Sequence, residues 1–376
     1  MKIALIDSIV ETAALRATQI DQVAIKKEAK KGRRENPLPS HGTLCAKILD
    51  AYVGAYDLVS LPIMQTEGTV RTKSHGDVQD LRKALELCMD LKVDVVSLSC
   101  VSSLLSDTDV LYDVAKKLSE QAVILAALDN KRYFTIPTGY PFVLGVQADW
   151  RKKTASGNLF YRKDDPLGAE LYASCDPVVL HTLQVGMSNS FAVPVAAARI
   201  NDLMNETGMS ARQIRQRIGK LIPAYLSDPV SEDLLYGEWR KRPYDITQIP
   251  LVAVSEEDGK ADERCMKIIR YFYHRDRVQV TCLTDDQTEA DVRFRSLQRE
   301  KDPEKAIGFM RRHYKTDLIL LAENTARGAI SKVSNLDVRI ECRNQVALLW
   351  YDDEQQEVPL SDLPEKLYQL LNGEEE

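Results

Sequence analysis

The feature that most constrains this chain is an alternation. Short apolar, β-branched runs are separated by longer stretches whose apolar residues recur every three or four positions. The runs fall at 2–7 (KIALID), 57–62 (DLVSLP), 93–99 (VDVVSLS), 122–127 (AVILAA) and 142–147 (FVLGVQ). Each is nearly continuous in apolar character, as strands buried on both faces are. Between them, 78–91 (VQDLRKALELCMDL) and 108–119 (TDVLYDVAKKLS) carry the helical period. Parallel strands need a crossover of this length, so residues 1–225 are expected to form an α/β fold, a parallel sheet with helices on both faces.

With 376 residues the chain exceeds the roughly 250–300 residues at which single cores stop growing, so two domains are expected. The segment 226–248 is charged and punctuated by prolines, which reads as a connector. A second αβ pattern follows in 249–376. Strands are expected at 250–255, 277–282, 317–321, 338–342 and 345–351, and helices at 261–273, 302–314 and 363–371. That suffices for a smaller C-terminal α/β three-layer domain. Its stretch VAVSEEDGKADERC places Gly259 and Lys260 before a helix, but Val254 and Ala261 stand where a phosphate loop needs Gly and Ser or Thr. Docking of substrate, self-association or support of the first domain is the expected role.

Charge narrows the partners. Against 50 basic residues stand 56 acidic ones, a formal −6. No single-sign field dominates, and nucleic acid is not expected as a partner. The basic run KKEAKKGRR at 26–34 reads as a solvated loop, or as an attractor for an acidic peptide. Seven scattered cysteines without a CxxC pair fit free thiols rather than a disulfide framework or a zinc site. The apolar N-terminus is broken by Asp7 after a few residues, too soon for a signal or membrane segment. A cytoplasmic protein without membrane contact, metal or other cofactor is therefore expected.

Four places carry candidate chemistry. Asp7 ends an apolar strand, where a buried carboxylate must be compensated or must cap the next helix. In SHGTLCAKILDAYVG, Ser40 can cap a helix that starts at His41 and buries Leu44, Ile48 and Leu49. In GMSNSFAVPVAAARIN, Ser190 begins a helix, with Pro194 expected in the first turn and small residues for close packing. A serine there lies beside free backbone N–H groups that favour an anion, although Ser188 competes as the cap. In ILAALDNKRYF, Asn130 follows an apolar strand, either as a turn residue or as a side-chain donor. Each also has an ordinary structural reading, and residue by residue both stay open.

In order and flanks, these four segments together resemble the subtilase family of serine proteases across roughly residues 2–205. ALID resembles the family's Asp strand, HGTLCAKI its HGT helix, AALDN its AAGN segment, and SNSFAVPVAA its GTSMAAP serine helix. The resemblance implies a catalytic triad of Asp7, His41 and Ser190, with Asn130 completing the oxyanion site. It selects Ser190 over Ser188, since the nucleophile stands four residues before the proline. It also implies that VDVVSLSCVSS is an edge strand whose Ser99, Cys100 and Val101 pair with extended substrate. The sequence departs from the family at Ser188, Asn189 and Asp129, and the edge-strand glycines are absent. The order Asp, His, Ser separates it from the chymotrypsin and α/β-hydrolase arrangements.

A subtilase without propeptide or export signal resembles the proteases that mature ribosomally made peptides. The expected function is therefore serine endopeptidase action on a precursor peptide, with leader removal. A macrocyclase using the same triad, or a noncatalytic peptide-binding module, is the alternative.

Overall fold

The structure is a computed structural model. It describes residues 1–13, 15–25, 39–64, 76–130, 135–150, 154–163, 165, 168–174, 181, 186–225, 249–256, 259–286, 294–298, 300, 302–313, 316–324 and 330–373. The basic run 26–34, the connector 226–248, Cys175 and the acidic end 374–376 lie outside the described residues. The chain divides into two compact units. One comprises Met1–Ser103, Asp107–Lys163 and Leu167–Leu226; the other comprises Leu104–Ser106, Asp164–Pro166 and Ser227–Glu376.

Among the described residues the first unit holds an eight-stranded sheet in the order β2-β3-β1-β4-β5-β6-β8-β7. The strands are β1 (Lys2–Asp7), β2 (Ile20–Gln22), β3 (Asp57–Pro62), β4 (Val95–Leu98), β5 (Val123–Ala127), β6 (Leu144–Ala148), β7 (Leu159–Tyr161) and β8 (Leu171–Ala173). All pairings are parallel except that of β7 with β8. Ile3 lies opposite Leu58 on one side and Val95 on the other. The five apolar runs of the sequence are all strands. The short β2, β7 and β8 were not expected, because three residues cannot show a period.

One expectation is corrected here. β4 is an interior strand held between β1 and β5, not an edge strand. It ends at Leu98, so Ser99, Cys100 and Val101 lie past it. Further along, Ser102 and Ile136 exchange backbone hydrogen bonds of 2.9 Å.

The unit also holds helices α1 (His41–Tyr52), α2 (Val78–Asp90), α3 (Thr108–Ser119), α4 (Asn189–Thr207) and α5 (Ala211–Leu221). α1 packs on α4, and α2 packs on α3. Ile3 and Leu5 share one core with α1, α4 and α5, while Ala4 and Ile6, also buried, point to the other face. α4 is buried nearly all round, with Ala192, Ala196, Ala197 and Ala198 fully inaccessible. Its first half, FAVPVAAA, is apolar on every side, as a helix segment that lies in an interior is.

The order reverses at β1, with β3 added on one side and β4 on the other. In open parallel sheets such a switch point opens a crevice at the carboxyl ends of the strands. Asp7 is the last residue of β1.

The second unit is also α/β. Among the described residues its seven-stranded sheet runs β11-β10-β12-β9-β13-β14-β15. The strands are β9 (Leu251–Glu256), β10 (Val280–Thr284), β11 (Phe294–Ser296), β12 (Leu318–Glu323), β13 (Val338–Arg343), β14 (Val346–Tyr351) and β15 (Glu354–Pro359). The first five are parallel and the last two antiparallel additions. Helices α6 (Ala261–Asp276), α7 (Pro303–His313) and α8 (Leu363–Asn372) lie close to where the sequence period places them. Beside the turn at Gly259, Glu256 is held by Arg264 at 2.7 Å. No helix among the described residues is long and apolar enough to cross a membrane.

Gly42 shows how tightly α1 docks on the end of β1. A Cβ at that position would lie 2.2 Å from the Ser8 carbonyl oxygen, so the helix would have to back off. Gly42→Ala is expected to cost about 1–3 kcal/mol, as overpacking does. A denaturant midpoint equal to the parent's would contradict this close docking.

Candidate active site

Asp7 is 2% exposed and sits at the carboxyl edge of the sheet. Its own carbonyl accepts the Ile63 and Met64 amides at 2.8 and 3.1 Å, which clamps its backbone. Its carboxylate accepts the Ser8 amide at 2.6 Å and the Ser8 hydroxyl at 3.2 Å. The Ser8 hydroxyl in turn accepts the Gly42 amide at 2.8 Å. Ser8 thereby ties the strand end to the first turn of α1.

α1 begins where the sequence places it. Ser40 caps it by accepting the Thr43 amide at 3.1 Å, and the Thr43 hydroxyl accepts the Glu11 amide at 2.9 Å. These contacts hold His41 over Asp7. His41 Nδ1 lies 2.9 and 2.8 Å from the two carboxylate oxygens, and Phe191 stacks on the ring at 5.0 Å. A carboxylate partner fixes the tautomer, so Nδ1 carries the proton and Nε2 faces outward to accept.

The atom facing Nε2 is Ser190 Oγ, 2.8 Å away and 149 positions distant in sequence. A hydroxyl touching an imidazole that a carboxylate orients is the arrangement that activates a nucleophile. Ser190 is the second residue of α4, and Pro194 is the sixth, in the second turn rather than the first as expected. A proline has no N–H, so the Ser190 carbonyl loses its helical partner. It takes the Ser99 hydroxyl at 3.3 Å and the Cys45 thiol at 3.8 Å instead. The proline therefore frees a carbonyl through which two neighbouring elements grip the serine backbone.

Asn130 follows β5 and is exposed. Its Oδ1 accepts the Asn189 amide at 2.8 Å, which turns Nδ2 toward the start of α4. Asn189 itself is 1% exposed. Its Oδ1 accepts the Ala148 amide at 2.9 Å and the Trp150 indole N–H at 3.2 Å. Its Nδ2 donates to the Asp129 carbonyl at 3.0 Å. One side chain thus fastens the helix start to the ends of β5 and β6. Ser188 is the helix cap, accepting the Ser190 amide at 3.2 Å.

The structure brings Asp7, His41, Ser190 and Asn130 to one crevice. Ser99 and Cys100 turn inward instead, since Cys100 Sγ contacts the Ile6 carbonyl at 3.6 Å, and Val101 is half-buried. Ser8 and Cys45 give no sign of these roles in the sequence, where Asn189 stands only as a departure from the family pattern. A polar residue beside a helix start reads as a cap, and nothing local reveals which distant amide it serves.

Charge follows from these contacts. Burial alone would raise the Asp7 pKa, but His41 and the Ser8 hydrogen bonds outweigh it, so the carboxyl sits below its usual range. Burial works against a charged imidazole, yet Asp7, with help from Cys45, holds the His41 pKa well above its ordinary value. Burial pushes the Cys45 thiol up. Ligand-type atoms of Asp7, His41 and Cys45 lie within 4.8 Å of one another. A metal there would have to displace the Asp7–His41 hydrogen bond.

No protein-family model and no curated protein sequence matches this chain. Among solved structures it is similar to the prenylagaramide maturation protease PagA, at 15% identity over 57% of this chain and 80% of that one, with a TM-score of 0.39. A lanthipeptide protease gives 17% identity over 57% and 78%, with a TM-score of 0.39. The patellamide maturation protease PatA gives 16% over 57% and 84%, with a TM-score of 0.36. Superpositions this loose leave the chemistry to be read from the side chains.

Asp7 is the main influence raising the His41 pKa, so Asp7→Asn should lower it. An NMR titration of the His41 ring should move its midpoint to lower pH in the variant. An unmoved midpoint would mean that the two groups are not coupled in solution.

Proposed function

We propose that this chain is a subtilisin-like serine endopeptidase. The observation that carries the reading is the unbroken relay from the Asp7 carboxylate through His41 to the Ser190 hydroxyl. It stands at the switch point of a parallel sheet, with the start of a buried helix behind the serine.

The steps follow from the geometry. His41 Nε2 takes the Ser190 proton as Oγ attacks the scissile carbonyl carbon, and the imidazolium that forms is stabilised by Asp7. The carbonyl oxygen becomes an oxyanion and is held by the Ser190 amide and Asn130 Nδ2, at the positive end of α4. His41 then protonates the leaving amine. Water, activated by the same imidazole, releases the acyl-enzyme.

The substrate we infer is a ribosomally made precursor peptide from which a leader is cut. This finer reading rests on the resemblance of the motifs and their order. Subsites at Ser99, Cys100 and Val101 remain part of it only as backbone contacts, given the inward turn of the first two side chains. The second unit is taken to serve substrate docking, self-association or support of the first unit.

Ser190→Ala should lower peptide cleavage by about 10⁶-fold, and Asn130→Ala by about 10²–10³-fold. Mass spectrometry reads both, since each hydrolysed bond adds one water while cyclisation adds none. A Ser190→Ala protein cleaving at the parent rate would refute the reading.

The base must be neutral to act, so activity should rise with pH as His41 loses its proton. Because its pKa is raised, that rise should be centred above the range of an ordinary histidine. In Asp7→Asn the residual activity, about 10⁴-fold lower, should begin its rise at lower pH. A rate profile whose acidic limb is the same in both proteins would overturn the assignment of His41 as base.

A further inference from the structure

Both donors assigned to the oxyanion point at an atom of the protein itself. Ser188 Oγ lies 3.1 Å from Asn130 Nδ2 and 3.2 Å from the Ser190 amide nitrogen. It also lies 2.6 Å from Ser190 Oγ. An oxyanion on the carbon attacked by Ser190 needs these neighbours, two N–H donors and a nearby nucleophile oxygen. A substrate carbonyl oxygen and the Ser188 hydroxyl cannot share that volume.

We propose that Ser188 is a gate on the oxyanion site, its hydroxyl filling the site in the free protein and leaving it when a peptide carbonyl enters. This rests on the serine protease reading of Ser190.

The occupied state opposes reaction in two ways. It engages both oxyanion donors with a neutral hydroxyl. That hydroxyl has one proton to give, to Ser190 Oγ at 2.6 Å or to Asn130 Oδ1 at 3.2 Å. Given to Ser190, it draws on a lone pair the nucleophile needs for attack. Opening requires no backbone change. Ser188 has φ −157° and ψ 149°, an extended conformation open to any residue, so rotation about its side-chain bond suffices. Met187 beside it is 40% exposed, so the released hydroxyl has solvent to turn to. The two donors then pass to the carbonyl oxygen, and the helix start stays satisfied throughout.

The consequence is selectivity. A small substrate must displace the Ser188 hydrogen bonds with its own carbonyl alone, whereas a peptide held along the crevice brings further binding energy to the exchange.

A fluorophosphonate probe tests this, because its phosphoryl oxygen enters the oxyanion site as Ser190 is labelled. Ser188→Gly and Ser188→Ala should both be labelled about tenfold faster than the parent, the factor expected when an ordinary hydrogen bond or two need not be broken. Ser188→Thr, which keeps a hydroxyl, should show no such gain. Ser190→Ala added to either variant should abolish labelling. A merely structural cap predicts the opposite. Its loss would lower the melting temperature, little for Gly and more for Ala, and would slow labelling.

If the parent labels and neither hydroxyl-free variant labels faster, the gate is rejected while the serine protease reading stands. If neither the parent nor any variant labels, the serine protease reading fails and the gate fails with it.

Discussion

A carboxylate cannot be left uncompensated at the end of an apolar strand, and the arrangement around Asp7 answers that constraint. Taking the charge out of water is costly, and burial by itself would drive the group toward its neutral form. An imidazole at 2.8 Å and two Ser8 hydrogen bonds reverse the balance. The same contacts fix where α1 begins, since Ser8 also receives the Gly42 amide. Electrostatic compensation and helix docking are one structure, and the orientation of His41 follows from both.

A second constraint acts from the other side of the crevice. α4 runs through the interior, and its small residues let it approach the sheet closely. Pro194 then breaks the hydrogen-bond ladder at one carbonyl, that of Ser190, and Ser99 and Cys45 take the vacant place. Asn189 fastens the front of the helix to the ends of β5 and β6. The backbone that carries the hydroxyl facing His41 is thus held by elements from four separate parts of the chain, which keeps the nucleophile in position.

Much of this is legible in the sequence. The five apolar runs and the two amphipathic periods of the first unit are strands and helices, because side-chain burial in parallel strands and helices leaves a periodic trace. Asp7, His41, Ser190 and Asn130 are picked out by flanks that also have local meaning, a cap, a glycine or a proline at fixed spacing. The features that do not show are of another kind. Strands of three residues carry no period. The interior position of β4 depends on which strands flank it, and a strand does not encode its neighbours. Pro194 falls in the second turn rather than the first, as the sixth residue of a helix that starts at Asn189.

The sequence by itself determined the alternation of strands and helices, the residue types available for chemistry, and their order along the chain. All of these are properties of composition and short spacing. Only the tertiary structure decided that an aspartate, a histidine and a serine meet within hydrogen-bonding distance, that Ser99 serves the Ser190 carbonyl, and that Ser188 fills the space beside the nucleophile. These are contacts across as many as 149 positions. They exist because the crossover connections return successive strand ends to one edge of a single sheet, a global result of packing that no local stretch of residues contains.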